Sequence, residues 1–305
     1  MFGRLEKHPA VFLGVFVLWA VLCGGFGVEK ALAKHGAAQE AKRAILVVAF
    51  GTSVPEAQKA YDAIDKRLGE AFPGVERRWA YTSGIIRKKL RSQGTAVDSP
   101  ETALAKLMED GFTHVAVLSL HVIPGAEFHD LYMNARLFTQ MSGGFKKVTF
   151  AMPLLSSSED MADVARAVTA AVPRERRPDE AVVFMGHGSE HHPADAFYTA
   201  MDALFQKQDR NLFLATVDGS PRFEDVLPVL ESRKITKAYL IPFMVVAGDH
   251  ARNDMAGDEA DSWKSRLAAK GIAAVPVFRG MGEIPDVVDV WIRHLRSAVE
   301  ALGTP

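Results

Sequence analysis

The sequence predicts an α/β fold: two similar domains, each a parallel sheet flanked by helices. Three observations predict it. Short apolar runs alternate with helical patterns along the chain. Two strand-loop motifs recur in the same order in the two halves. The chain has 305 residues, which at about 100–200 residues per domain suits two domains of ordinary size.

The first 33 residues read as an export leader rather than as fold. Arg4 and Lys7 supply a positive start, Pro9 to Val28 is an uncharged and mostly apolar stretch, and Ala31-Leu32-Ala33 is a small-x-small cleavage signature. Cleavage is expected after Ala33. The alternative is an uncleaved N-terminal anchor, since about 20 apolar residues can span a bilayer. Lipidation at Cys23 is disfavoured because Leu22 stands where a small residue is wanted. No second membrane-spanning candidate follows, so a protein exported to a bacterial periplasm is expected.

The folded region is expected from Ala44, in an N-terminal domain over 44–175 and a C-terminal domain over 176–305. The charged stretch Arg174–Glu180 marks the boundary. Ala44–Phe50 is a short, wholly apolar run of the kind that forms a buried parallel strand. Gly51-Thr52-Ser53 then makes a loop, and Pro55 suits the first turn of a helix. Further strands are expected at Val75–Tyr81, His114–Leu120, Val148–Met152, Ala181–Met185, Asn211–Val217, Ala238–Phe243 and Ile272–Val277. Helices fill the gaps, with start signals at Ser99-Pro100-Glu101, Pro193 and Pro285-Asp286.

The internal repeat is read from two pairs of strings. Val47–Ser53 resembles Val183–Ser189, and matching the serines puts Gly51 opposite His187. Val122–Glu127 resembles Val245–His250, and matching the glycines puts Glu127 opposite His250.

Ligands of a parallel sheet sit outside the carboxyl ends of its strands. That rule selects Gly51, Thr52, Ser53, His121, Glu127, His187, Gly188, Ser189 and His250. His187 lies between two glycines, which permit a sharp turn and a close ligand approach. His250 opens an expected helix on which Asp254, Asp258 and Asp261 share its face. A nearby carboxylate can orient the imidazole, although the outer acids, Asp258 and Asp261, are read as a solvated face. Glu127 also suits a plain helix start, and its equivalence to His250 is what raises it to a site candidate. His121 suits either the pocket or a packed core. His191 and His192 are read as surface residues. His129 is read as solvent-facing, with ligation of a second metal or an iron tetrapyrrole held open as an extra role.

Other chemistries are excluded residue by residue. The one cysteine rules out a disulfide framework or CxxC site, so a bound metal would need His, Asp, Glu or backbone ligands. A net charge of -1 with no long basic run argues against nucleic acid. No G-x-G-x-x-G follows the first strand and no P-loop occurs. Gly186-His187-Gly188-Ser189 is not a nucleophile elbow.

The chain resembles the anaerobic-type cobalt chelatases of cobalamin synthesis, class II tetrapyrrole chelatases of the CbiK type. The strings that carry this are Phe50–Ser53, Tyr81–Leu90, Ser119-Leu120-His121, Pro153–Ser157, Phe184–Gly188, Val246–Met255 and Asp261–Lys264. The resemblance implies two similar α/β domains with a cleft between them and ATP-independent insertion of Co2+ into sirohydrochlorin. It also implies that His187, His250 and Glu127 form the metal site and act in catalysis. Fe2+ and Ni2+ accept the same ligand types, and no further cofactor is implied. Arg87, Lys88 and Arg252 are candidates for the substrate carboxylates, with solvated surface charge as their other reading. The expected partners are the tetrapyrrole and the divalent metal. Membrane contact would come only through an uncleaved leader, and self-association is left open. The departure from the family is the leader, since corrin synthesis is cytoplasmic. An exported carrier that binds metal or tetrapyrrole without turnover is the alternative function.

Overall fold

A computed structural model describes residues 41–189 and 192–303. The expected leader, its cleavage point and His191 lie outside the described residues.

The first half builds a four-stranded sheet from β1 (Arg43–Ala49), β2 (Glu76–Tyr81), β3 (His114–Ser119) and β4 (Lys147–Ala151), in the order β2-β1-β3-β4. The second half repeats the plan with β5 (Ala181–Gly186), β6 (Leu212–Thr216), β7 (Lys237–Pro242) and β8 (Ala273–Pro276), in the order β6-β5-β7-β8. Every pairing is parallel. Both faces of β1 and β5 are therefore covered, which is why their sequences are continuously apolar rather than alternating.

Period-two geometry divides each central strand between two cores. Ile45, Val47 and Ala49 join Val182 and Phe184 in one apolar cluster shared by the two halves. Ala44, Leu46 and Val48 face a separate cluster outside the first sheet. Ala181, Val183 and Met185 face the matching cluster outside the second.

Helices α1 (Pro55–Ala71), α2 (Gly84–Ser92), α3 (Pro100–Glu109), α4 (Ala126–Leu137) and α5 (Ser158–Ala170) surround the first sheet. Their starts follow local chemistry. Proline opens α1 and α3, and the hydroxyls of Ser83, Ser99 and Ser157 accept backbone N–H groups at the starts of α2, α3 and α5. Buried Ala57, Ala60, Tyr61, Ile64 and Leu68 form the inner stripe of α1.

The second half carries α6 (Ala196–Gln208), α7 (Phe223–Ser232), α8 (Trp263–Ala269) and α9 (Pro285–Ala301). A short 3-10 turn over Pro193–Asp195 precedes α6. The C-terminal helix α9 crosses back to pack on β3, β4 and α5 of the first half. Its Trp291 is fully buried. Next to it, Arg293 donates to Asp160 Oδ1 at 2.8 Å, and the His294 ring bridges Asp160 and the Met152 carbonyl at 3.0 Å each. Among the described residues no helix is long and apolar enough to cross a membrane.

Candidate active site

The carboxyl ends of both sheets open toward one cavity. Two turns, one per half, are built alike. The Phe50 carbonyl accepts the Ser83 N–H at 3.1 Å, and the His187 carbonyl accepts the Asp218 N–H at 2.8 Å. The next residue in each turn is a glycine at positive φ, Gly51 at 105° and Gly188 at 85°. A Cβ on Gly188 would lie 1.7 Å from the Asp218 carbonyl oxygen, so only glycine fits. Ten residues on from each glycine stands a buried tyrosine, Tyr61 or Tyr198. Burial pushes both phenol pKa values up, partly offset by a backbone hydrogen bond from Gly51 or Gly188.

These contacts correct the expected repeat by one residue. Phe50, not Gly51, stands opposite His187, and Gly51 matches Gly188. The turn is set by the residue that must adopt positive φ, whereas neither turn requires its serine at a fixed offset. The second equivalence stands. His129 N–H bonds the Gly125 carbonyl at 3.1 Å and Arg252 N–H bonds the Gly248 carbonyl at 3.2 Å, which keeps Glu127 opposite His250.

The cavity has a volume of about 610 Å³ and is lined from both halves. Gly51, Thr52, Ser53, His121 and Glu127 line it from the first half, and His187, Gly188, Ser189 and His250 from the second. Arg87 and His129 are not among the lining residues. Asp218, Phe50 and Ile85 do line it, and sequence reasoning missed them. Asp218 was detectable, because it follows the strand expected to end at Val217.

The two histidines meet edge to face, with ring centroids 4.8 Å apart at 90°. His187 Nδ1 is 3.0 Å from the Gly188 carbonyl oxygen, and His250 Nδ1 is 2.7 Å from Asp254 Oδ2. Both partners are acceptors, so each ring carries its proton on Nδ1 and keeps the Nε2 lone pair for a ligand.

Asp254 lies in a single π-helical turn, Ala251–Met255. The expected long acidic face is therefore not formed. A Cβ at Gly257 would meet the Asn253 carbonyl oxygen at 2.4 Å, and the chain restarts as α8 under the Ser262 cap. Asp258 instead pairs with Lys264 at 2.6 Å, and that hydrogen bond holds its carboxyl below the usual range.

Glu127 Oε2 approaches His121 Nε2 at 3.0 Å. The alignment falls short of a hydrogen bond, leaving Nε2 buried without a partner. His121 Nδ1 is anchored on Ser119 Oγ at 2.7 Å. Among the described residues no three His, Cys, Asp or Glu side chains converge as a ready-made metal centre. Glu127 thus shares the cavity with the His187–His250 pair without closing on it.

His192 departs from its reading as a plain surface residue. Its Nδ1 accepts the Ala194 N–H at 3.1 Å, capping the turn at Pro193–Asp195, and its ring lies 5.6 Å from that of His129. The capping bond uses the Nδ1 lone pair, so neutral His192 carries its proton on Nε2.

Two imidazoles paired on a cavity lined from two parallel-sheet halves mark the class of fold and site to which the following comparisons apply. The family model for cobalt chelatase (CbiK) matches residues 43–300, and the chain belongs to that family. It is 43% identical over 261 residues to a protein of Nitratidesulfovibrio vulgaris named sirohydrochlorin cobaltochelatase CbiKC, covering 86% of this chain and 92% of that one. It is 38% identical over 260 residues to a Salmonella typhimurium protein named sirohydrochlorin cobaltochelatase, covering 85% and 97%. Among solved structures, the fold is similar to the cobalt complex of the Bacillus subtilis sirohydrochlorin chelatase SirB. The TM-score is 0.58 and the identity 17%, covering 85% of this chain and 96% of that one.

Proposed function

We propose that this protein inserts Co2+ into sirohydrochlorin without ATP, and that His187 and His250 hold the incoming ion. The observation that carries the reading is the paired imidazoles, each with Nδ1 against an acceptor, on a cavity lined from both halves. Imidazole and carboxylate suit Co2+. The names of the two sequence relatives supply the substrate.

The metal here is a substrate, so the site must release it. Two imidazoles without a converged third ligand leave coordination positions for the pyrrole nitrogens. Two pyrrole N–H protons leave as the ion enters, and the cavity groups able to accept them include His121, Glu127, His187 and His250. Glu127 is proposed to complete the metal site on substrate entry. No cofactor beyond the metal is proposed.

The leader supports export to the periplasm, with cleavage after Ala33. N-terminal sequencing of the protein from a periplasmic fraction tests this, and an intact Met1 in the cytoplasm opposes it.

Mixing the mature protein with Co2+ and sirohydrochlorin and following the absorption spectrum tests the activity. Many turnovers are expected, lost in His187→Ala and His250→Ala. A single stoichiometric change would identify a carrier instead.

A further inference from the structure

The cavity has an electrostatic deficit. Among the described residues that line it there is no lysine or arginine, while Glu127, Asp218 and Asp249 are present. A polycarboxylate macrocycle seated there would meet its counter-charges at the rim. We propose that Arg87 and Arg252, one from each half, select the macrocycle by its peripheral carboxylates. The assignment rests on the tetrapyrrole reading above.

Arg87 lies on α2 just after Ile85 and Ile86, which line the cavity. Its Nη2 is 3.8 Å from where a Cβ of Gly84 would stand, so the side chain folds back to the end of α2 that borders the cavity. Its Nε is buried and has no hydrogen-bond partner among the described residues. A buried donor without a partner is unfavourable unless a ligand supplies one.

Arg252 follows His250 by two residues. Its Nη2 is 3.2 Å from Glu56 Oε2 at the start of α1, and its guanidinium lies 5.5 Å over the Phe278 ring. Its Nε is likewise buried and without a partner. Glu56 therefore holds the guanidinium in place and competes with any incoming carboxylate. Within the cavity lining, Ile85 is 81% exposed and Phe50 44% exposed. An exposed apolar lining, with a guanidinium from each half carried on a segment that also contributes to that lining, suits a flat ring that carries acids at its edge. The planar fork of arginine matches a carboxylate in bidentate fashion, which a lysine cannot reproduce.

Steady-state kinetics separate this role from a structural one. Arg87→Gln and Arg252→Gln should each raise KM for sirohydrochlorin about tenfold. Their kcat and KM for Co2+ should stay as in the wild type. Arg87→Lys should recover only part of the loss. Glu56→Gln should act in the opposite direction and lower KM, a result that damage to the fold would not produce. In metal-free protein, fluorescence titration should show tight, salt-sensitive binding of a porphyrin octa-acid, weakened in both Gln variants. A porphyrin di-acid should bind wild type and variants alike. An unchanged KM for sirohydrochlorin in both Gln variants would overturn the assignment while leaving the chelatase reading intact. If the wild type fails to turn over, the chelatase reading falls. The octa-acid titration then judges the arginines alone, and equal binding by wild type and Arg87→Gln overturns them.

Discussion

Phe50 occupies in the first half the backbone position that His187 occupies in the second, and their rings lie 6.5 Å apart. Duplicated turns thus face each other across the cavity with different side chains. At the three matched strand-end positions the first half presents Phe50, Ser83 and Glu127, and the second presents His187, Asp218 and His250. Both imidazoles proposed to hold the metal belong to the second half, and an aromatic ring stands opposite them. Phe50→Ala should therefore weaken macrocycle binding by about threefold to tenfold through lost ring contact. Co2+ binding should hardly change. Separate titrations with Co2+ and with metal-free tetrapyrrole check this, and a selective loss of Co2+ affinity would refute it.

Asp254 should tune His250 rather than support the fold. Asp254→Asn keeps an acceptor for the Nδ1 proton but removes the charge at 2.7 Å. KM for Co2+ is expected to rise about 10-fold or more. The melting temperature should stay close to that of the wild type, because the pair is half-exposed and Asn keeps the hydrogen bond. An unchanged Co2+ response would show that Asp254 does not orient the ring.

Gly188→Ala should cost about 1–3 kcal/mol and abolish insertion, through strain at positive φ and the clash with the Asp218 carbonyl. Gly74→Ala is the control. Gly74 also has positive φ, yet nothing lies within 4 Å of its Cβ direction. It should lose only about 1 kcal/mol and keep full activity. Urea unfolding and the insertion assay together separate strain from displacement of His187.

Asp160 should contribute to acid sensitivity. Burial pushes its carboxyl pKa up, but hydrogen bonds from Ser157, Arg293 and His294 outweigh this and hold it below the usual range. The folded value is thus depressed. Its contribution is fully present above the unfolded value of about 3.9 and is lost as pH falls through the lower folded value. Asp160→Asn should destabilise the protein by about 1–3 kcal/mol at neutral pH. The gap to wild type should shrink below about pH 4. Urea midpoints measured from pH 7 to pH 3 check the trend, and a constant gap would refute it.

Much of this was readable from the chain. Eight short runs marked eight strands, and proline and serine signals marked the starts of α1, α3 and α9, because buried parallel strands need apolar residues and helix starts need caps. His187 and His250 were readable as cavity residues from their places just past strands, and Glu127 from its repeat equivalence to His250. The register of the repeat was not. String matching weighs the serines equally with the glycines, whereas positive φ at Gly51 and Gly188 sets the turn. The length of the helix after His250 was also hidden, because its end depends on Gly257 packing on the Asn253 carbonyl.

The sequence by itself determined the strand order in time, the positions of the turns and the identities of the groups that can bind metal. Those follow from local periodicity and side-chain chemistry. Only the tertiary structure decided which groups meet. It brought His187 and His250 edge to face, turned Glu127 toward His121, and returned α9 to the first sheet. Each of these results from packing between segments far apart in the chain, which no local pattern encodes.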